Sequence, residues 1–388
     1  MVEIEEALNR ICSQKPEIKK TTQTVTQSLG YCLAEDIYAP FPLPPFDNSA
    51  MDGYALSGQV ESYQIIGEVA AGSNASIQLK VGQAVRIFTG ARIPEGAESV
   101  LMQEKSRVEN GLLYPLEIPI PGKHIRRQGE ELRTNSCVFE SGHLLNAASL
   151  GILSSFGINH IDVWQKPRIH ILVTGNELIQ AGEVRQPGQI YESNRTTLKA
   201  ALERSGFLSL RYSHVHDDLE SIRQEISKIL EENDLLLISG GISVGDYDFV
   251  QKALQENQVQ EVFYKVNQKP GKPLWFGKKE DCFVFGLPGN PASSLTCFYM
   301  FVWPLLQMMQ GANNAGLPKI KAKLQHSFEI KSERPVFLKA QLNSDGVHIL
   351  DGQGSSMIYS LAHANALVFL NKEAQFNPGD EVECYLIP

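Results

Sequence analysis

Between residues 165 and 312 the chain alternates short apolar runs with helical patterns, and this alternation limits the fold more than any other feature. Four runs, IHILV (169–173), LRYSHV (210–215), DLLLI (234–238) and CFVF (282–285), each end in a loop rich in Gly, Asn or Asp. Parallel strands need crossovers of a dozen or more residues, and the helical stretches between these runs supply them. The pattern predicts βαβ units around a parallel sheet. Ligands bind such sheets outside the carboxyl ends of the strands, so TGNE, His216-Asp217-Asp218, SGGISVGDYD and GLPGNPAS should face one crevice. Helix ends are also readable. SNRTTLKAALERSG closes on Gly206, DDLESIRQEISKILEEN opens on paired aspartates, and Asn290-Pro291 reads as the cap and first residue of a helix reaching Gly311.

The rest of the 388 residues divides around this α/β domain, placed at 167–315. Residues 40–140 carry short alternating strands such as SYQIIGEV and AVRIFTG between Gly, Pro and Asn turns, which predicts an inserted, mostly β domain over 46–137. The flanks, 1–45 and 138–166, read as helix-like and are assigned to a stalk. Alternation in VFLKAQL, HILDG, ALVFLN and DEVECYLI predicts a C-terminal β-barrel over 317–388. The run TCFYMFVWPLLQMM (296–309) is too short to span a bilayer and contains Pro304, so it reads as a buried core helix. MVEIEEALNR lacks the basic and apolar regions of a signal peptide, and the six cysteines form no Cys-x-x-Cys. A cytoplasmic protein without membrane association is expected.

A net charge of −9 argues against nucleic acid as a partner, so a polyanionic ligand needs a local basic patch. KVNQKPGKPLWFGKK supplies one: Lys265, Lys269, Lys272, Lys278 and Lys279 give +5 over 265–279 with no acid among them. Pro270 and Pro273 stiffen the turn around Gly271, which should hold Lys269 and Lys272 in place. Gly240, Gly241 and Gly245 leave backbone N–H groups open to phosphate, although the loop matches neither a Walker nor a dinucleotide fingerprint. Glu177, Asp217, Asp218 and Asp248 should converge there and could hold Mg²⁺ through one or two carboxylates plus substrate phosphate. Each aspartate also precedes a helix, and taken singly each reads as a cap ahead of a ligand. Lys123, Arg126, Arg127 and Arg133, interleaved with Glu130 and Glu131, read as a solvated face, whereas PLPPFDNSAMDGYA (42–55) reads as a polar loop with little helix or strand. The residues by themselves point to an enzyme acting with Mg²⁺ on a phosphorylated small molecule.

PFDNSAMDGYA, RIFTGARIPEGAESVLMQE, IRRQGEEL, VTGNEL, IYESNR, SGGISVGDYDF, KPGKP and FGLPGNPAS, in this order and spacing, closely resemble the MoeA family of molybdopterin molybdenumtransferases, relatives of the gephyrin E domain. The resemblance spans essentially the whole chain. It implies a helical stalk, an inserted β domain, a central molybdopterin-binding α/β domain and a C-terminal β-barrel. It also implies a homodimer with each active site shared between subunits, contact with molybdopterin adenylyltransferase, Mg²⁺ as cofactor, and molybdate and adenylylated molybdopterin as substrates. Matched motif by motif, Asp52, Thr89, Glu131, Glu177, Asp217 and Asp248 take catalytic positions, with Glu177 and Asp248 on the metal. Gly240, Gly241, Ser243, Lys269, Lys272, Pro288, Pro291, Arg334 and Ser355 take substrate-binding ones. The chain departs from the family pattern at Glu131, at Asn176 in place of aspartate, at His216 in place of arginine, and at Lys339 in place of an arginine. The last leaves Arg334 as the nearer candidate. The alternatives are molybdopterin adenylyltransferase, opposed by the extra domains and by Ser-Gly-Gly-Ile-Ser in place of Thr-Gly-Gly-Thr-Gly, and a non-enzymatic scaffold of the gephyrin E-domain type.

Overall fold

A computed structural model gives the fold, and the structure describes residues 1–73, 76–242, 249–371 and 374–388. The chain forms two compact units, one of Met1–Glu35, Ser141–Gly151 and Asn159–Pro388, the other of Asp36–Glu140 and Ile152–Ile158.

The first unit is built on a six-stranded sheet. Its strands are β1 (Ile169–Thr174), β2 (Leu210–Val215), β3 (Leu235–Ser239), β4 (Gln260–Tyr264), β5 (Trp275–Lys279) and β6 (Cys282–Leu287), in the order β2-β1-β3-β6-β5-β4. β2, β1, β3 and β6 are parallel, as their sequence pattern predicts, while β5 and β4 add an antiparallel edge. Every residue of β1, β3 and β6 is buried, because helices cover both faces. Side chains alternate between two layers. Ile169, Ile171 and Val173 pack with Leu198 and Leu202 of the helix Asn194–Arg204, whereas Leu172, Leu236 and Ile238 pack with Ile222, Ile226 and Ile229 of the helix Leu219–Glu232. The chain leaves β1 to place β2 on one side of it, then crosses to place β3 on the other. That reversal opens a crevice at the carboxyl ends of β1 and β3.

The helix after β6 runs from Pro291 to Cys297, widens into a π turn over Phe298–Val302, and continues as Trp303–Met309. Pro304 has no N–H to give back and its ring crowds the preceding turn, and the wide turn just before it accommodates both. Its most apolar window is 83% buried, as a core helix requires.

The flanking segments differ from the expected stalk. Their α-helices are Ile4–Cys12 and Ala147–Ser155, with one 3-10 turn at Val25–Gln27. Lys20–Thr24 pairs antiparallel with His160–Trp164, consistent with the β-branched residues in KTTQT and HIDVW. Ile4, Ala7 and Ile11 belong to the same apolar cluster as β1 and the 291–309 helix, so the N-terminal helix closes the α/β core.

The C-terminal part is a five-stranded antiparallel sheet in the order Lys319–Lys323, Glu381–Leu386, Ala366–Leu370, Val336–Asn343, Gly346–Ile349, with its own apolar core. It is stitched to the loop after β4: Lys269 N–H donates to Pro335 O and Phe337 N–H to Lys269 O, both at 2.9 Å.

The second unit holds a six-stranded sheet in which Gly53–Leu56 lies between Ser99–Met102 and Gln83–Ile87. The expectation of little strand character over 42–55 is therefore corrected. Gly53 makes this pairing fit, since a Cβ there would lie 1.9 Å from Leu101 O.

Candidate active site

At the β1/β3 reversal lies a cavity of about 620 Å³. The loop after β1 contributes Thr174, Gly175 and Glu177, and the loop after β2 contributes Asp217. Ser239, Gly240 and Gly241 follow β3, and Pro288, Gly289, Asn290 and Pro291 follow β6. The structure thus brings together Glu177, Asp217, Gly240, Gly241, Pro288 and Pro291. Ser243 and Asp248 lie outside the described residues. Glycine is required in the floor. Gly240 has φ +98° and a Cβ there would meet Thr174 O at 2.6 Å, while Gly241 has φ +63° and would meet Val250 Cγ2 at 2.6 Å.

The paired aspartates separate into two roles. Asp218 is the helix cap: its Oδ1 accepts from Ser221 N–H at 2.9 Å, and that bond holds its carboxyl below the usual range. Asp217 lines the cavity instead, and its own N–H donates to Asn176 Oδ1 at 3.1 Å. His216 Nδ1 lies 3.3 Å from that same oxygen, so two of the positions that depart from the family pattern are in direct contact. Among the described residues no three His, Cys, Asp or Glu side chains gather closely enough to cage a metal. Glu177 and Asp217 both line the cavity, and carboxylates there suit a hard cation that also takes oxygens from a phosphate.

Sequence reasoning passed over Glu192 and Asn194, both buried and both lining the cavity. Asn194 Nδ2 donates to Ser239 Oγ at 2.8 Å and Gly289 O at 2.7 Å, tying the loops after β3 and β6 together. Glu192 Oε1 accepts from Arg195 N–H at 2.7 Å. Thr174 Oγ1, Glu192 Oε2 and Asn194 Oδ1 are buried with no hydrogen-bond partner among the described residues, although Glu192 Oε2 lies 3.7 Å from Arg195 Nε. The available signal was the Glu-Ser-Asn run ahead of a helix, which reads just as well as capping chemistry.

The basic segment does not form one patch. β5 runs antiparallel to β6, with Trp275 opposite Gly286 and Lys279 opposite Cys282. Lys278 and Lys279 therefore lie at the amino end of β6, away from the crevice, which corrects the +5 expectation. Lys269 is exposed and Lys272 half-buried, and neither lines the cavity, though Pro273 does. Gly271, φ +86°, lets the turn approach Cys297, whose Sγ would stand 2.4 Å from a Cβ there.

Ser355 lies at the rim. Its Oγ accepts from Asn290 Nδ2 at 3.0 Å, its carbonyl accepts from Ser293 N–H at 3.1 Å, and its neighbour Ser356 lines the cavity. Asn290 is the helix cap by position, but its side chain is used on Ser355 rather than on the helix. Arg334 is exposed and does not line the cavity.

Asp52, Thr89 and Glu131 belong to the second unit. Asp52 Oδ1 accepts from Thr89 N–H at 2.7 Å and Thr89 Oγ1 at 3.0 Å, and these bonds hold its carboxyl below the usual range. A carboxylate with a lowered pKa keeps its contacts above the ordinary aspartate value and loses them as pH falls through the lowered one. The Thr89 amide chemical shift should accordingly titrate with a midpoint below that of an unperturbed aspartate. Nearby, Asp47 joins the 42–55 and 125–132 segments: its Oδ2 pairs with Arg127 Nη1 at 2.6 Å and its Oδ1 accepts from Gln128 N–H at 2.7 Å. Glu131 Oε2 lies 3.7 Å from Arg126 Nη2.

Three family models match in succession: the MoeA N-terminal region (domain I and II) at residues 2–157, a probable molybdopterin binding domain at 170–308, and the MoeA C-terminal region (domain IV) at 321–387. The molybdopterin molybdenumtransferase of Haemophilus influenzae is 34% identical over 385 residues, covering 96% of this chain and 95% of its own. That of Staphylococcus epidermidis is 31% identical, covering 95% and 91%. The crystal structure of the molybdopterin biosynthesis moeA protein from Pyrococcus horikoshii OT3 superposes over 100% of both chains with a TM-score of 0.83 at 31% identity. Similarity of this extent over nearly the full length of each relative, with all three regional models in order, places the chain in the MoeA family.

Proposed function

We propose that the protein inserts molybdenum from molybdate into adenylylated molybdopterin, releasing AMP and the molybdenum cofactor. The observation that carries this reading is the cavity at the sheet's reversal, where Glu177, Asp217 and the Gly240–Gly241 turn meet in a chain of this family. The substrate carries two phosphoryl groups, joined as one pyrophosphate between the pterin and the adenosine. The glycine turn admits them close to the backbone, and Lys269 and Lys272 neutralise charge from the rim. Glu177 and Asp217 orient the scissile phosphoanhydride, and Glu177 with Asp248 would hold Mg²⁺ together with its oxygens. The ion, when bound, supplies charge neutralisation on the pyrophosphate. Asp248 and Ser243 complete the assignments in this region, and Ser355 and Arg334 take anionic oxygens at its edge.

The same reading makes the protein a cytoplasmic homodimer in which Asp52, Thr89 and Glu131 of one copy complete the crevice of the other, with molybdopterin adenylyltransferase handing over the substrate. The decisive experiment incubates purified protein with adenylylated molybdopterin, molybdate and Mg²⁺ and follows AMP together with reconstitution of a molybdenum enzyme. Both products are expected. Binding of substrate without AMP release would reject the assignment. Asp52→Asn and Glu177→Gln are each expected to lose most of their activity, and mixing the two to form heterodimers should restore part of it. Failure to restore it, with subunit exchange shown to occur, would reject the shared site.

A further inference from the structure

Lys339 stands on the strand Val336–Asn343 and is only 2% exposed, which is unusual for a lysine. Burial pulls its pKa down, and no carboxylate offsets this. Its Nζ donates to three backbone carbonyls: Gly352 O at 2.7 Å, Met357 O at 3.0 Å and Gly354 O at 3.1 Å. An ammonium has three donors, so all are used. The backbone of the same residue is clasped by Gln353, whose Oε1 accepts from Lys339 N–H and whose Nε2 donates to Lys339 O, both at 2.9 Å.

The loop held in this way is largely open to solvent. Gly352, Gly354, Ser356 and Met357 are exposed, and Gly352 has φ +76°. The loop's carbonyls at 352, 354 and 357 converge on Lys339 Nζ, which joins all three; their other donors are Ser360 Oγ, on Gly352 O at 2.7 Å and Met357 O at 3.1 Å, and Met357 N–H, on Gly354 O at 3.1 Å. On its other side, Ser355 bonds Asn290 and Ser293, and Ser356 lines the cavity.

We infer that Lys339 is a positioning residue: its ammonium sets the 352–357 loop, and through it Ser355 and Ser356, at the rim of the crevice, and it is not itself a ligand for phosphate or oxyanion. The inference rests on the reading that this crevice takes adenylylated molybdopterin. An arginine at this position could serve as an anion ligand with its spare donors. The lysine has none to spare, so the anion must be met by the groups that it places.

Two measurements on the full-length protein test this. The first needs no substrate. In hydrogen exchange followed by mass spectrometry, Lys339→Met should speed exchange in peptides covering 350–358 while leaving 366–370 unchanged. Unaltered exchange over 350–358 would overturn the inference. The second is a double-mutant cycle on affinity for adenylylated molybdopterin. Lys339→Met and Ser355→Ala should each weaken binding by about tenfold or more, and the double variant should be no weaker than the weaker single one. Effects that multiply would mean that Lys339 acts independently of the loop and would equally overturn the inference. If Lys339→Met does not fold, Lys339→Gln carries both readouts, because its shorter amide has two hydrogens on nitrogen and cannot serve all three carbonyls. If the wild type binds no adenylylated molybdopterin, the functional reading fails, and the exchange experiment alone decides the role of Lys339.

Discussion

Glu177→Gln is expected to lower turnover by about 10²- to 10⁴-fold while changing substrate affinity by less than about tenfold. Glutamine keeps the size of the side chain and one carbonyl oxygen, but it loses the negative charge and the capacity to accept a proton. Glu177 is exposed at the mouth of the β1 loop, so the substitution should leave stability within about 0.5 kcal/mol of wild type. Loss of activity would then report on chemistry and not on folding. Single-turnover AMP release, set beside equilibrium binding, separates the two quantities. A variant with normal turnover would remove Glu177 from the mechanism, and one with normal turnover but weakened binding would make it a binding group.

Gly240→Ala should act on the floor of the crevice instead. The added methyl group would stand 2.6 Å from Thr174 O, a backbone atom of a buried strand that has little room to yield. Gly240 also has φ +98°, a conformation that costs alanine about 1–3 kcal/mol. The turn is expected to move by a fraction of an ångström or more, and displacement on the scale of 1 Å costs roughly 10²-fold in rate. The expected result is a loss of that order in kcat/KM together with a thermal midpoint lowered by several degrees. Wild-type kcat/KM with an unchanged midpoint would show that the floor tolerates a side chain and that the close approach of backbone to phosphate is not needed.

The parallel sheet was legible because β1, β3 and β6 are buried on both faces and read as unbroken apolar runs between punctuated loops, while β2, at the edge, is mostly polar with no residue buried. The loops at the ends of β1, β2, β3 and β6 followed from that topology, and Glu177, Asp217, Gly240, Gly241, Pro288 and Pro291 were found there. Other features depend on contacts distant in sequence. Lys278 and Lys279 could be excluded from the crevice only through the antiparallel register of β5 on β6. Asn194 is a cap residue by local pattern and becomes a tie between two loops only because Ser239 and Gly289 lie beside it. The flanks are less helical than their local pattern suggests for a related reason, since the pairing of Lys20–Thr24 with His160–Trp164 spans more than a hundred residues and outweighs local propensity.

The wide turn at Phe298–Val302 has a mechanical consequence. One extra residue in a helical turn rotates everything beyond it by about 100°, so the segments Pro291–Cys297 and Trp303–Met309 meet their neighbours in different phases. Deleting a single residue within that turn would bring the two halves into one phase. Trp303–Met309 would then turn a new side toward the sheet, while the cavity-lining Pro291 at the other end kept its place.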